Sequence, residues 1–464
     1  MITMQASEIA TIIGGKLYGE DILVTGNATL SSAHATEGSI FLAIKGQKFD
    51  GHDFVEDALN HGAVVALTTR EVGYRCIVVD DVTVAIGKLA QFIRTKLTNL
   101  TVIGITGSQG KTTTKELLAS ILNQRGKTIS PAGNQNNELG LPLTLIQCNE
   151  ETKFCIVEMG ARHVGDIASL SRIAKPNIGV VLRVSAAHIG EFGSLENIAA
   201  TKGELIESLG DGATAILGNY DPFTPKMRSL HPGKSITFGE LGDEDIRAAD
   251  IELRDGHPHF DLVTPEGRST VALRLVGIHQ ISNALAAAAV AFELGMNTDE
   301  IAGALSLAQS NAPWRMELHE LPDLLLINDA YNASPDSMAA ALRTLAHLSQ
   351  ERGGESWAFL GKMAELGEST RDSHAEIGTL ALELGIDHLV AVASPEYREL
   401  LSSDAAMTVH LCEDIDSAVA MAIHLNRGDV ALCKGSRSAG LEILAERIEE
   451  FWKMKISNEE GSKQ

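Results

Sequence analysis

The segment Thr106-Gly107-Ser108-Gln109-Gly110-Lys111-Thr112-Thr113-Thr114 constrains the fold more than any other part of the chain. It follows an apolar stretch at 101–105 and opens a helix-like run at 111–124. A buried strand, a glycine-rich turn and a helix in that order form one unit of a parallel sheet, because parallel strands need a crossover that carries the chain back. The turn also carries chemistry. Glycines let backbone N–H groups point inward, the helix N-terminus favours an anion, and a lysine meets the outer oxygens of a phosphate chain. The hydroxyl of Thr112, just after the lysine, suits Mg²⁺. Ile105 stands where the strict GxxxxGK[ST] pattern has its first glycine, so a plain strand–turn–helix remains the alternative.

Strand and helix patterns alternate beyond this unit. Strands are predicted at 154–159, 178–184 and 213–217, with helices at 165–173 and 194–209 between them, which is the mark of a parallel sheet with crossover helices. From 235 to 275, polar and apolar residues alternate, with turn signals at Asp255-Gly256 and Pro265-Glu266-Gly267; this predicts an antiparallel part. An Ala-rich helix follows at 279–294. Strands at 324–328, 357–360, 389–393 and 430–434 with helices at 337–349, 373–384 and 441–451 predict a second doubly wound unit. Before the glycine-rich turn, short strands at 22–25, 39–44, 63–67 and 76–79 accompany helices at 54–61 and 82–97. The 464 residues suit about three domains at roughly 150 each. The expectation is an α/β chain of three domains. A small α/β domain covers 1–99. A central P-loop ATPase-like parallel sheet with an added antiparallel part covers 100–312. A C-terminal Rossmann-like doubly wound domain covers 313–456, and a frayed polar tail covers 457–464.

Composition excludes several classes. The 38 Lys plus Arg against 61 Asp plus Glu leave a formal net charge of −23. Such a surface argues against nonspecific binding of nucleic acid or anionic lipid, although a local cluster of donors still binds a small anion. No apolar run approaches the about 18–20 residues that span a bilayer. The N-terminus has no basic segment before its first apolar stretch, so no signal peptide is expected. Five cysteines without a CxxC pair indicate neither a disulfide scaffold nor a thiolate zinc site, and reduced, buried thiols in a cytosolic protein are expected.

Other candidate residues also follow strands. Glu158 ends the strand after the glycine-rich turn and is placed to hold Mg²⁺ or to be an ordinary solvated carboxylate. His188 follows the next strand and reads equally as a structural histidine. Lys202 reads as a lysine on a helix face. The run Asn134-Gln135-Asn136-Asn137-Glu138-Leu139-Gly140-Leu141-Pro142 is a turn-rich connection or a set of amide donors for a ligand. In Asp329-Ala330-Tyr331-Asn332-Ala333-Ser334-Pro335-Asp336, Ser334 or Asp336 caps the following helix and Asp329 and Asn332 remain for a cleft. Lys434-Gly435-Ser436-Arg437 offers two cations and a hydroxyl to a carboxylate or phosphate.

These motifs together resemble the Mur ligase family. The resemblance runs through nearly the whole chain. It takes in Gly38-Ser39-Ile40-Phe41-Leu42-Ala43-Ile44-Lys45-Gly46 with Asp50-Gly51-His52, the glycine-rich turn, the 134–142 loop, and Ala187-His188 with Phe192-Gly193-Ser194. It continues through Lys202, Gly277-x-His279-x-x-x-Asn283-Ala284, Arg315, the Asp329–Asp336 segment, Leu360-Gly361-Lys362-Met363-Ala364-Glu365-Leu366-Gly367 and Lys434-Gly435-Ser436-Arg437. The last three look like the branch that adds D-alanyl-D-alanine. Three positions depart from the family pattern: Ser31-Ser32-Ala33 replaces Asp-Ser-Arg, Lys362 an acidic residue and Arg183 an asparagine.

The resemblance implies an ATP-dependent amide ligase of cytoplasmic peptidoglycan precursor synthesis. It would join D-alanyl-D-alanine to UDP-N-acetylmuramoyl-tripeptide through an acyl phosphate, as a monomer, with no nucleic-acid or membrane partner. The N-terminal domain would hold the uridine diphosphate end. Gly107, Ser108, Gln109, Gly110, Lys111, Thr112 and Thr113 would hold the ATP phosphates, and His279 and Asn283 would meet adenine. Arg315 and Asp329 would close over the nucleotide. Thr112 and Glu158 would bind one Mg²⁺; His188 and Lys202 would serve a second, with Lys202 carbamylated. Lys111, His188 and Lys202 would be the catalytic set. Asn134, Asn136, Asn137, Tyr331, Asn332, Lys434, Ser436 and Arg437 would contact the peptide substrates. A sister ligase with another amino acid, or a nucleotide-binding scaffold without turnover, are the alternatives.

Overall fold

The computed structural model describes residues 1–131, 133, 135–186, 189–309, 312–399 and 406–461. It is an α/β chain built on three main sheets. The central one has nine strands, in the order Gly267–Ala272, His257–Thr264, Ile246–Arg254, Lys234–Gly239, Thr214–Gly218, Ile178–Val181, Thr101–Thr106, Phe154–Glu158, Thr128–Ile129. Thr101–Thr106 pairs in parallel with Phe154–Glu158 on one side and Ile178–Val181 on the other. Both neighbours follow it in the chain, on opposite sides, so the crossover direction reverses at this strand. In open α/β sheets a ligand crevice forms at such a reversal, beyond the strand C-termini.

The strand residues explain the placement. Val102, Ile103 and Ile105 are buried, and so are Phe154 through Glu158. A strand covered on both faces reads as a continuous apolar run. Helices Lys111–Leu122 and Gln280–Glu293 cover one face, their Leu117, Leu118, Ile121 and Ala284–Ala291 packing in one core with Ile103, Ile105 and Ile156. Alanines in that second helix let the two helices approach closely.

Three expectations are corrected here. The antiparallel part starts later than residue 235: Lys234–Gly239 runs parallel to Thr214–Gly218, and only Ile246–Arg254 with His257–Thr264 and Gly267–Ala272 are antiparallel. Those strands extend the central sheet rather than forming their own. Helices Ala6–Ile13, Ile189–Phe192 and Ile415–Ala420 went unread, as did the pair Gly140–Ile146 and Thr298–Leu307. Pro142 sits in the first turn of Gly140–Ile146, where its missing N–H costs nothing. The helix predicted at 441–451 runs on through the polar tail as Leu441–Gly461.

The second large sheet has the order Glu317–Leu321, Leu324–Asn328, Val430–Lys434, Ser356–Leu360, His388–Val392, Thr408–Cys412. It is parallel except for Glu317–Leu321, an antiparallel edge strand. The N-terminal sheet has five strands, ordered Lys16–Tyr18, Cys76–Val78, Ala63–Thr68, Ser39–Leu42, Ala28–Thr29. All five cysteines are buried. No helix of the described residues is long and apolar enough to cross a membrane.

Helix Val82–Lys96 ties the N-terminal sheet to the central one. Asp81 caps it by accepting from the Val84 N–H at 2.9 Å. Near its other end, Arg94 donates to the carbonyls of Ala174 and Lys175, each at 3.0 Å, and to Asn177 Oδ1 at 2.9 Å. Asn177 Oδ1 also accepts from the Val102 N–H at 2.9 Å, at the start of the central strand. Charge-assisted hydrogen bonds of this kind contribute about 1.5–3 kcal/mol each when a partner is lost. Arg94→Met is expected to lower the urea-unfolding midpoint by an amount equivalent to about 2 kcal/mol; an unchanged midpoint would show that the helix docks without this clamp.

Candidate active site

The glycine-rich turn joins Thr101–Thr106 to helix Lys111–Leu122. Gly110 has φ 81°, and a Cβ there would lie 2.2 Å from Asn283 Oδ1. Both the left-handed backbone and the close approach require glycine. Ser108 pins the turn to the neighbouring strand end: its N–H donates to the Arg183 carbonyl at 2.9 Å, and its Oγ accepts from the Ser185 N–H at 2.9 Å. The Lys111 side chain folds over the turn and donates to the Gly107 carbonyl at 2.7 Å. Backbone N–H groups, a helix N-terminus and an ammonium thus face one point, the arrangement that binds phosphate.

Glu158 ends its strand opposite Ile105 and is 1% exposed. Its two oxygens are used separately. Oε2 accepts from Thr112 Oγ1 at 3.1 Å and Oε1 from Asn136 Nδ2 at 3.3 Å. Arg315, reaching from the side of the second large sheet, donates to Thr112 Oγ1 at 3.2 Å. Glu158 and Thr112 form a hard oxygen pair beside the phosphate position. Mg²⁺ prefers such donors and takes its remaining ligands from phosphate and water, so this pair fits it.

Two lysines share the buried space. Burial depresses the Lys111 ammonium; the Glu158 charge opposes this and Arg315 adds to it. Lys202, on helix Leu195–Glu207 and 8% exposed, is pushed down to about 7 by burial first and by Lys111 second. Its amine is therefore neutral at mildly alkaline pH, unlike an exposed lysine.

The far end of the cleft is lined by His279, Gln280 and Asn283. Asn283 Nδ2 donates to Gln280 Oε1 at 2.8 Å, and Gln280 Nε2 lies 3.0 Å from His279 Nε2. An amide nitrogen only donates, so His279 Nε2 is the acceptor and the ring is neutral, with its proton on Nδ1. Burial depresses this histidine to about 4, with Asp329 opposing and Lys434 and Arg183 assisting. Its Nδ1 has no hydrogen-bond partner among the described residues.

The second large sheet closes the cleft. Lys434, 2% exposed at the end of its strand, donates to Asp329 Oδ2 at 2.6 Å and to the Asn332 carbonyl at 2.9 Å. Asp329 Oδ1 accepts from the Met316 N–H at 3.1 Å and so fixes the segment bearing Arg315. Arg315 lies 3.9 Å from the Tyr331 ring centroid, and Arg437 lies 4.4 Å from that of Trp314 and pairs with Glu442. Ser436 Oγ accepts from the Ala364 N–H at 2.8 Å, and Gln109 Nε2 donates to Ser334 Oγ at 3.4 Å across the cleft. Ser334 caps helix Pro335–Arg352, with Pro335 in its first turn.

One cleft of about 1110 Å³ therefore gathers Gly107 through Thr113, Asn136, Asn137, Glu158, Lys202, His279, Asn283, Arg315, Asp329, Tyr331, Asn332, Lys434, Ser436 and Arg437. That volume accommodates more than one small molecule. Asn134 and His188 lie outside the described residues. Sequence reasoning missed Leu30, Arg162, His163 and Gln280, which also line the cleft. Arg162 was open to discovery, since it follows Glu158 in the loop after a strand. Glu204 was also missed: its carboxylate accepts from the N–H groups of Gly165 and Ala168, fixing the loop after Glu158 from the Lys202 helix. Nothing local marks it. For Lys202, labelling by an amine-reactive reagent is expected to rise with pH through a midpoint near 7. A midpoint above 10 would mean that an unseen anion holds it charged.

The family description Mur ligase family, catalytic domain, matches residues 27–93; Mur ligase middle domain matches 105–291; and Mur ligase, glutamate ligase domain, matches 314–437. A UDP-N-acetylmuramoyl-tripeptide--D-alanyl-D-alanine ligase of Mycobacterium tuberculosis is 37% identical over 97% of this chain and 98% of its own length. The crystal structure of MurF from Acinetobacter baumannii superposes with a TM-score of 0.86 at 32% identity, covering 97% of this chain and 99% of that one. MurF ligase from Thermotoga maritima, in complex with ADP, superposes with a TM-score of 0.81 at 30% identity, covering 93% and 99%. The chain belongs to the Mur ligase family.

Proposed function

We propose that the protein joins D-alanyl-D-alanine to UDP-N-acetylmuramoyl-tripeptide, coupled to conversion of ATP to ADP and phosphate. The observation that carries this reading is the meeting of Lys111, Glu158 and Thr112 with Arg315 in one cleft, in a chain whose full-length relatives bear that enzyme name. The ADP held by the Thermotoga maritima relative supports ATP as the nucleotide.

The chemistry follows from the charges. The terminal carboxylate of the tripeptide attacks the γ-phosphorus of ATP. A C–O–P bond forms, the bond to the bridging oxygen breaks, and ADP leaves. The amine of D-alanyl-D-alanine then adds to the acyl carbon, a proton is lost from nitrogen, and phosphate leaves. An anion attacking an anion needs neutralisation and alignment. Lys111 and the turn N–H groups meet the phosphates, and Arg315 places a second cation there from the side of the second large sheet. His279, neutral, and Asn283 offer hydrogen-bonding edges to the base. Asn136 and Asn137 face the peptide; Tyr331, Asn332, Lys434, Ser436 and Arg437 face the side from which the dipeptide enters. The uridine diphosphate end lies with the N-terminal sheet.

Mg²⁺ held by Thr112 and Glu158 would supply charge neutralisation for the phosphates. A second ion would sit by Lys202, together with His188. A plain ammonium there would repel it, whereas a carbamate, formed from the neutral amine and CO₂, presents oxygens. The depressed Lys202 supports that reading.

Phosphate release from ATP with UDP-N-acetylmuramoyl-tripeptide is expected with D-alanyl-D-alanine and not with single amino acids. Release with a single amino acid instead would make the chain a sister ligase, and release with neither would make it a scaffold. Lys202→Ala is expected to lose most turnover, about 100-fold or more for a lost charge-stabilising group, and to regain part of it with added short-chain carboxylate. A fully active variant would remove Lys202 from the site.

A further inference from the structure

Lys115 has an unusual place in the helix that begins at Lys111. It is 2% exposed, and one and two turns on along the same stripe, Leu118 and Leu122 are fully buried. An apolar side chain would fill such a position at no electrostatic cost, whereas a buried ammonium is expensive unless it is hydrogen-bonded. The Lys115 ammonium donates to two backbone carbonyls, those of Pro131 at 2.8 Å and Gly133 at 3.0 Å. Both belong to the loop between Thr128–Ile129 and Gly140–Ile146.

That loop carries Asn136 to Glu158. Its second half has its own anchors. The Gly160 N–H donates to the Asn136 carbonyl at 2.8 Å, and Asn137 Oδ1 accepts from the Gly140 N–H at 2.9 Å. The fit is close, since a Cβ on Gly160 would lie 2.9 Å from the Asn136 amide carbon. Among the described residues of its first half, the carbonyls of Pro131 and Gly133 rest on the Lys115 ammonium. We infer that Lys115 is a positioning residue: from one turn beyond the phosphate-facing Lys111, it holds the 130–139 loop so that Asn136 meets Glu158 and Asn137 faces the peptide substrate. One rigid helix thus sets both the nucleotide turn and the peptide loop. This rests on the ligase reading for its kinetic consequences but not for its structural one.

The test compares Lys115→Met and Lys115→Arg with the unmodified enzyme. Lys115→Met is expected to raise the KM for UDP-N-acetylmuramoyl-tripeptide at least tenfold and to lower kcat, while the KM for ATP and the Kd for ADP stay within twofold. Its thermal midpoint should be unchanged or higher, because an apolar residue replaces a buried charge. Lys115→Arg, which keeps cationic donors, should recover part of the loss. Combined with Asn136→Ala, Lys115→Met should cost less than the product of the two single losses, since both act through one contact. Amide hydrogen exchange over 130–139 should quicken in Lys115→Met. A tripeptide KM within twofold of the unmodified enzyme, an equal loss of ADP affinity, or multiplicative losses in the double variant would each overturn the assignment. Should Lys115→Met not fold, Lys115→Gln takes its place in the same measurements and is read by the same outcomes. Absence of turnover in the unmodified enzyme would overturn the ligase reading alone; the exchange and ADP measurements would still decide the role of Lys115.

Discussion

The parallel pairing of Thr101–Thr106 with a strand on each side is the constraint on which the rest depends. Parallel strands end at the same edge, so whatever follows each strand is delivered to the same crevice. The glycine-rich turn, Glu158 with its loop, and the segment 182–186 all arrive there for that reason. The second large sheet repeats the device: Asp329 follows Leu324–Asn328, and Lys434 ends Val430–Lys434 beside it. The cleft forms where the two edges face each other.

Its charge balance differs from that of the whole molecule. The chain carries a net charge of −23, yet the cleft is lined by Lys111, Arg162, Lys202, Arg315, Lys434 and Arg437 against Glu138, Glu158, Asp166, Asp329 and Glu365, with Lys111, Lys202 and Arg315 gathered around Glu158. Cations crowded out of water repel one another, which is why burial and Lys111 together depress Lys202 so far. A polyanion relieves that repulsion. The acidic exterior keeps other anions off, and the cleft gives a phosphate chain an attractive destination.

Arg315 to Thr112 and Gln109 to Ser334 bridge the cleft. Arg315 is flanked by Trp314 at φ 58° and Met316 at φ 51°, a conformation that side chains other than glycine seldom adopt. Asp329 and the aromatic contacts with Tyr331 and Trp314 hold the segment there. Strain of this kind persists where surrounding contacts over-determine it, and it concentrates at segments that serve a site. From that segment the Arg315 guanidinium reaches Thr112 at the start of the nucleotide-side helix.

Local order was legible in the sequence because it is written in neighbours. The turn from Thr106 to Thr114, the core strands, the Ala-rich helix and the cap at Ser334 follow from apolar runs, glycine and capping chemistry within a few residues. The helices Gly140–Ile146 and Thr298–Leu307 were passed over, the first because Asn and Pro read as turn, although Asn137 and Pro142 serve a helix start. Lys234–Gly239 alternates like an antiparallel strand, but the partner it found made it parallel. The roles of single polar residues were decided only by tertiary structure. Lys202 is an ordinary helix lysine until burial beside Lys111 changes its charge. Lys115 and Glu204 are invisible until the loops they hold come within reach. Hydrophobic pattern and backbone preference act at short range and can be read along the chain. Hydrogen-bond partners and the dielectric around a charge depend on groups far away in sequence, so they exist only once the sheets have assembled.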